Sequence, residues 1–314
     1  MEGRRIIGIG ETILDILFKD GKPVAAVPGG SSFNSIVSIG RTGLPCAFVG
    51  YTGADAVGRQ TVRFMQENNV GTEYFRVRED EKSAVSLAFL DSDGDASYVF
   101  YTQPPSMGDD WHLPQMAQGD IMLFGSYYAA CRGTRAVIEQ MLGMAERNGA
   151  IVYYDLNFRR SHQHELQALM PAILGNFGKS TVVRGSADDF EVMYGTRDAE
   201  YIYRNHISAR CPVFICTAGA GAVTVCTPMG CTSFDVPPVE GVVSTVGAGD
   251  NFNAGFTCAL VRDGIRREDI ATLTQSQWER LVATASLFAA EACRSTDNYV
   301  SRDFALGMGL ASPT

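Results

Sequence analysis

The sequence predicts an α/β protein: a mostly parallel central sheet with helices on both faces, bearing a small β-strand lid. Three observations predict it. Short β-branched runs alternate with segments whose apolar residues recur at helical spacing, which is the rhythm of parallel strands joined by crossover helices. That rhythm breaks once, between residues 73 and 104, where strand-like segments follow one another with no helix to cover them. The chain has 314 residues, 46% hydrophobic and 19% charged, enough to bury one large core.

The elements follow in order. Residues 5–10 are a buried strand ending in a glycine turn, and 31–40, entered through Gly29-Gly30, carry serines that can cap an amphipathic helix. A strand at 46–50 and a helix at 57–69 complete the first strand–helix–strand unit. Residues 84–90 and 96–101 are strands joined by a hairpin turn at Asp91-Ser92-Asp93-Gly94, with 23–27 as a further pairing partner. The expected organisation is a single domain over 1–314 whose lid is formed by about 16–28 and 73–104. From Asp120 the alternation returns: strands at 121–124, 151–155, 181–184 and 213–217, with helices at 134–148 and 165–174 between them. A hairpin-like pair covers 221–234, and the last third is helical at 250–263 and 277–293. There is no internal repeat and no low-complexity tract.

Charge narrows the function classes. Lys and Arg total 26 against 35 Asp and Glu, a formal net charge of -9, which repels nucleic-acid backbones and anionic membranes alike. The apolar stretch 281–290 is closed by Arg280 and Glu291, well short of a membrane span. No partner among nucleic acids or membranes is expected, and a cytoplasmic location is. Eight cysteines without a Cys-x-x-Cys pair read as reduced thiols rather than a disulfide scaffold.

Three glycine-rich loops compete as a phosphate cradle. Gly8-Ile9-Gly10 opens like a dinucleotide fingerprint, but its third glycine would fall on Ile13. Gly178-Lys179-Ser180 resembles the tail of a P-loop, but the leading glycine would fall on Ile173, and the segment follows a helix instead of preceding one. The third, Gly247-Ala248-Gly249-Asp250, opens a helix of small and apolar residues. Unpaired N–H groups at such a start, with the helix dipole behind them, suit a transferring phosphoryl group. Asp250 stands at the edge of that nest, placed to take a proton from an attacking hydroxyl. Elsewhere, His162-Gln163-His164 lacks a third metal ligand nearby in sequence. Tyr127-Tyr128 follows a strand's C-terminal end, where open α/β sheets place ligands, and is a candidate sugar contact.

These residues resemble the ribokinase-like (PfkB) family of carbohydrate kinases, nearly end to end. Gly247-Ala248-Gly249-Asp250 is similar to the family's C-terminal signature, and Gly29-Gly30 with Asn34 to its N-terminal one. Between them come, in family order, Gly50-Tyr51-Thr52-Gly53-Ala54-Asp55 with Gly58, Asp155-Leu156-Asn157-Phe158-Arg159, and Thr217-Ala218-Gly219. Gly10-Glu11 with Asp15, ahead of them, resembles the fructokinase side of the family.

The resemblance implies transfer of the γ-phosphoryl of Mg-ATP to a hydroxyl of a small sugar. Asp250 matches the catalytic base, Gly247, Ala248 and Gly249 the anion hole, and Arg159 a cation beside the transferring group. Asp15, Gly29, Gly30 and Asn34 match the sugar-binding positions. Ser186, Thr217, Gly219 and Gly249 match the nucleotide site, and Asp189 a position that organises Mg2+, here through water. The lid matches one that closes over the sugar and mediates a homodimer. Two positions depart from the pattern. Ser186 and Asp189 replace the usual Asn-x-x-Glu, and Ser244 replaces an Asp near the monovalent-cation site of potassium-activated relatives, which leaves such a cation open. Fructose is the first substrate expected, with ribose, a keto-deoxy sugar acid, a nucleoside, or a catalytically silent sugar or nucleotide sensor as alternatives.

Overall fold

The computed structural model describes residues 4–90, 96–108 and 111–310. The hairpin turn expected at 91–94 lies outside the described residues. The chain runs β1 (Ile6–Ile9), β2 (Ile13–Lys19), β3 (Lys22–Gly29), α1 (Ser31–Arg41), β4 (Cys46–Gly53), α2 (Ala56–Glu67), β5 (Phe75–Arg78), β6 (Ala84–Leu90) and β7 (Ala96–Tyr101). It continues β8 (Ile121–Gly125), α3 (Arg135–Arg147), β9 (Ile151–Asp155), α4 (Leu166–Lys179), β10 (Val182–Ser186), α5 (Ala187–Tyr194), α6 (Ala199–Ile202) and β11 (Phe214–Thr217). The hairpin β12 (Val223–Thr227) and β13 (Gly230–Phe234) follows, then α7 (Ala248–Arg262), α8 (Gln275–Ala292) and α9 (Arg302–Gly307).

The large sheet has the order β13-β12-β11-β10-β9-β8-β1-β4-β5. It is parallel from β11 through β5, with β12 and β13 added antiparallel at one edge. Alternation along the central strands divides the core. Ile121 and Leu123 of β8, and Ile151 and Tyr153 of β9, face α1, α7 and α8 through Phe33, Ile36, Phe256 and Phe288. Their neighbours Met122, Phe124, Val152 and Tyr154 face α3, α4 and α5 through Met141, Phe177 and Phe190. Strands covered on both sides need apolar residues at every position, which is why β8 and β9 are buried throughout.

A second sheet, β3-β2-β6-β7, stands apart from the first. β2 pairs antiparallel with β3 and parallel with β6, and β6 pairs antiparallel with β7. This is the lid that the uncovered strands predict, with two differences of extent. The strand carrying Asp15 begins at Ile13, so β2 enters the lid sheet three residues ahead of the expected boundary. Residues 75–78, expected in the lid, instead form the edge strand β5 of the large sheet, because β4 runs on to Gly53 and offers them a parallel partner.

The cysteines depart from expectation at one place. Cys226 and Cys231 are register partners across β12 and β13, with Cα atoms 4.0 Å apart, and they are joined as a disulfide. The two-residue turn between the strands makes the four-residue spacing a directly opposed pair, a juxtaposition that sequence spacing alone did not suggest. The remaining six cysteines are free thiols, five of them buried.

Candidate active site

Two helix N-termini meet at the C-terminal ends of the parallel strands. α7 starts at Ala248 after Gly247, whose φ of 78° is left-handed, and no side chain caps this start. A Cβ at Gly247 would approach the Asn298 carbonyl to 3.1 Å. α1 starts at Ser31 after Gly30, at φ 130°, where a Cβ would come within 2.3 Å of the Glu11 carbonyl oxygen. Only glycine fits that approach.

Asp250, in the first turn of α7, is gripped by the first turn of α1. Ser31 Oγ donates to Asp250 Oδ1 at 2.8 Å and Asn34 Nδ2 to Oδ2 at 2.8 Å, while Ser35 Oγ donates to the Asp250 carbonyl at 2.7 Å. These partners lie more than 210 residues away in sequence. The carboxylate is open to a cavity on one side and enclosed by protein on the others. That enclosure pushes its pKa up to about 6, with nearby Asp155 adding to the rise and Asn34, Ser31 and Arg159 opposing it. Asn34, expected to bind sugar, thus spends its amide N–H on Asp250. Its Oδ1 is buried with no hydrogen-bond partner among the described residues, which leaves an acceptor for a ligand hydroxyl.

The cavity has a volume of about 350 Å³. Asp250, Gly247, Gly30, Asn34, Asp15 and Arg159 of the expected sugar and phosphoryl residues line it, whereas Gly29, Ala248 and Gly249 do not. Asp15 sits on the lid strand β2 and accepts from Ser86 Oγ of β6. Burial raises its pKa, against hydrogen bonds from Ser86 and Asn298 and the charge of Arg159. Gly29 is glycine because a Cβ there would stand 2.6 Å from Asp15 Oδ2.

Sequence reasoning offered Tyr127 as a candidate sugar contact but did not assign Glu11, Asn298 or His162 to this wall. Glu11 lines the cavity, and burial raises its pKa, opposed by Arg159 and supported by Asp15. Asn298 reaches in from the loop after α8. Tyr127 and His162 stack at 4.2 Å with 19° between their planes, and Tyr127 Oη donates to Glu165 Oε2 at 3.2 Å. The Gly10-Glu11 motif was a usable signal for Glu11, as the strand-end position was for Tyr127; nothing local marked Asn298 or His162 as cavity residues. Ser126 and Asn157, also lining the cavity, hold positive φ of 56° and 38°. Such conformations cost about 1–3 kcal/mol each and cluster where function needs them.

The other expected residues lie on adjoining strand ends. Ser186 and Asp189 form a capping box at the start of α5: Ser186 N donates to Asp189 Oδ2 at 2.7 Å, and Asp189 N to Ser186 Oγ at 3.2 Å. The two side chains that depart from the family pattern therefore have a helix to start. Burial pushes the Asp189 pKa up to about 6, against its hydrogen bond from Ser186. Thr217 is buried and accepts from Arg184, and Gly219 follows at φ 59° in open space. Among the described residues no group of three His, Cys, Asp or Glu side chains is placed to hold a metal ion.

A wider groove of about 1150 Å³ lies at the opposite ends of the strands, by Arg5, Asp120 and Arg147. It is remote from both helix starts and from the strand ends where α/β sheets bind ligands.

Residues 7–303 match the family described as pfkB family carbohydrate kinase. The chain belongs to that family. It is accordingly a phosphotransferase acting on a sugar hydroxyl. Among relatives of this kinase, the aminoimidazole riboside kinase of Salmonella typhimurium is 29% identical over 81% of this chain and 80% of its own length. The fructokinase of Salmonella typhimurium is 24% identical over 88% of this chain and 92% of its own. The fold of this pfkB-family chain superposes on the fructokinase of Vibrio cholerae O395, solved with fructose, ADP and calcium ion, at a TM-score of 0.82 with 22% identity, covering 98% of this chain and 99% of that one. It also superposes on the aminoimidazole riboside kinase of Salmonella enterica, solved with aminoimidazole riboside and an ATP analog, at a TM-score of 0.80 with 24% identity, covering 98% and 100%. No helix among the described residues is long and apolar enough to cross a membrane.

Proposed function

We propose that this kinase transfers the γ-phosphoryl group of ATP to a hydroxyl of a small neutral sugar, with fructose the first candidate. The observation that carries this reading is the Asp250 carboxylate, fixed by Ser31 and Asn34 at the open start of α7, on the floor of a cavity with two further carboxylates. Glu11 and Asp15 accept hydrogen bonds from hydroxyls but would repel a sugar acid, and Arg159 is committed to the same crowded field. Neutral polyols suit that balance.

In the reaction, the acceptor hydroxyl oxygen bonds to the γ-phosphorus while the bond to the β,γ-bridging oxygen breaks, its electron pair leaving on ADP. The hydroxyl proton passes to Asp250, late, because the transition state is loose. The N–H groups at the start of α7 receive the charge spreading over the phosphoryl oxygens, and Arg159 adds a fixed cation. Gly30 and Asn34 orient the acceptor, and the lid sheet excludes water, which otherwise competes as acceptor. Mg2+, when bound, would neutralise phosphate charge; Asp189 is the residue that would face it, with one carboxylate oxygen engaged in the cap of α5.

A nucleoside acceptor is the second reading, favoured by the stacked Tyr127–His162 pair, which offers a flat wall to a heterocycle. ADP release measured across fructose, ribose, sugar acids and nucleosides separates the two, with Asp250→Asn beside the parent. Turnover on one class, reduced about 10³-fold or more in the variant, supports the kinase and names its acceptor. Ligand-induced stabilisation with no turnover on any acceptor identifies a silent sensor instead.

A further inference from the structure

Arg184, on β10, lies beneath the start of α7, and no role above uses it. Its side chain is almost fully buried. Nη1 donates to Asp155 Oδ1 at 2.9 Å, across the β9–β10 register that pairs the two residues. Nη2 donates to Thr217 Oγ1 at 2.6 Å, at the end of β11. The guanidinium also leaves no room for a side chain on α7 at this point: a Cβ at position 249 would stand 3.0 Å from Nη2 and 3.1 Å from Nη1. The second glycine of Gly-Ala-Gly-Asp is thus matched to a guanidinium lying directly against it. Asp155 is held from its other side by Asn253 Nδ2 at 2.7 Å, and Asn253 by Tyr153 Oη at 3.0 Å, so the fork rests on a fixed frame. Arg184 Nε is buried without a hydrogen-bond partner among the described residues.

A buried ion pair of this kind is a poor source of stability, since apolar side chains of similar volume often hold a fold as well or better. What it supplies here is a fixed positive charge, bonded to β9 and β11 and packed under Gly249 of α7. We propose that Arg184 is a positioning residue for phosphoryl transfer: it locks the Gly247–Asp250 turn to the ends of β9 and β11 and holds a preorganised positive charge beneath the turn. The proposal rests on the reading of that turn as the phosphoryl site. A cation already fixed in a dry setting needs no reorganisation when charge develops. Lysine could keep the charge, but its point-like ammonium cannot present a planar fork to Asp155 and Thr217 while packing flat under Gly249.

The test compares Arg184→Lys and Arg184→Met with the parent, expressing kcat per sugar-binding site counted by titration calorimetry. The expected result is a kcat per site lowered about tenfold or more in the Lys variant and further in the Met variant, with the sugar KM within about threefold of the parent. A merely structural arginine would lower the melting temperature and the number of sites while leaving kcat per site intact. A Lys variant within about twofold of the parent in kcat per site overturns the proposal. Should neither variant fold, Thr217→Val, which removes one acceptor of the fork without changing charge, decides at saturating ATP: unaltered kcat per site, or a loss that follows a raised ATP KM, overturns the proposal, and a drop with both the sugar and the ATP KM unchanged supports it. Asp250→Asn keeps the two readings apart. If it retains turnover, the phosphoryl site itself is misassigned; if it is inactive while Arg184→Lys is unaffected, only the present proposal fails.

Discussion

The carboxylate of Asp250 carries its own cost. Its pKa of about 6 in the folded protein stands above the ordinary carboxylate value near 4, so folding takes up a proton there. The group therefore favours the folded state at acid pH, and that contribution disappears as pH rises through about 6. Two outcomes follow at this scale. Turnover should fall tenfold per pH unit below an acid limb near 6, read from the pH profile of kcat, because only the ionised form accepts the proton. Asp250→Asn should be inactive yet melt a few degrees higher at pH 7.5, with the gap closing as pH drops toward 4; differential scanning at several pH values checks it. Asp250 itself was legible in sequence from the glycines before it. Its clamp was not: Ser31 and Asn34 reach it from the other end of the chain, and Asn34's role as a partner of the carboxylate exists only once α1 and α7 are packed together. Arg184 was invisible for the same reason, since its partners on β9, β11 and α7 lie in separate stretches of the sequence.

Among the elements, α2 and β6 are joined by one side chain. Asp55 caps α2 through Gly58 N at 2.9 Å, and the same carboxylate accepts from Ser83 N at 2.9 Å and Ser83 Oγ at 2.7 Å, just ahead of β6. Those hydrogen bonds, against a desolvation cost, hold its pKa down to about 2. A depressed carboxylate contributes stability above its unfolded value near 4 and loses it as pH falls through about 2. Asp55→Ala should lower stability by about 2 kcal/mol, a few degrees in melting temperature, and raise the sugar KM more than it lowers kcat, because the lid strand loses its anchor. Calorimetry and steady-state kinetics read the two effects. The central strands β8 and β9 were readable as continuous apolar runs, and α3 and α8 from the helical period of their buried residues. The short α5 and α6, the edge strand β5 and the early start of β2 were not. Each is too brief for a period to emerge, and its state is set by the neighbour it docks on.

At the level of the whole molecule, the second sheet exposes Val24, Val99 and Tyr101, at 58%, 46% and 63%. Apolar surface gathered on one small sheet is what an interface between copies requires. The dimer expected through the lid should appear in sedimentation at twice the 33.9 kDa chain mass, and Val99→Asp with Tyr101→Asp should return it to the monomer mass. A monomer in the unsubstituted protein refutes the arrangement. The body and the lid also divide the cavity between them unevenly. Asp250, Asn34 and Arg159 belong to the body, but Asp15 is carried by β2 and braced by Ser86 of β6, with Asn298 of the body as its counterpart across the gap. Any displacement of the second sheet takes the Asp15 carboxylate away with it. On the reading proposed for Asp15, grip on the acceptor and closure over it would be a single event on one coordinate. An acceptor that latches Asp15 more firmly would then hold the sheet shut over its phosphate ester for longer, setting affinity against turnover through that one strand.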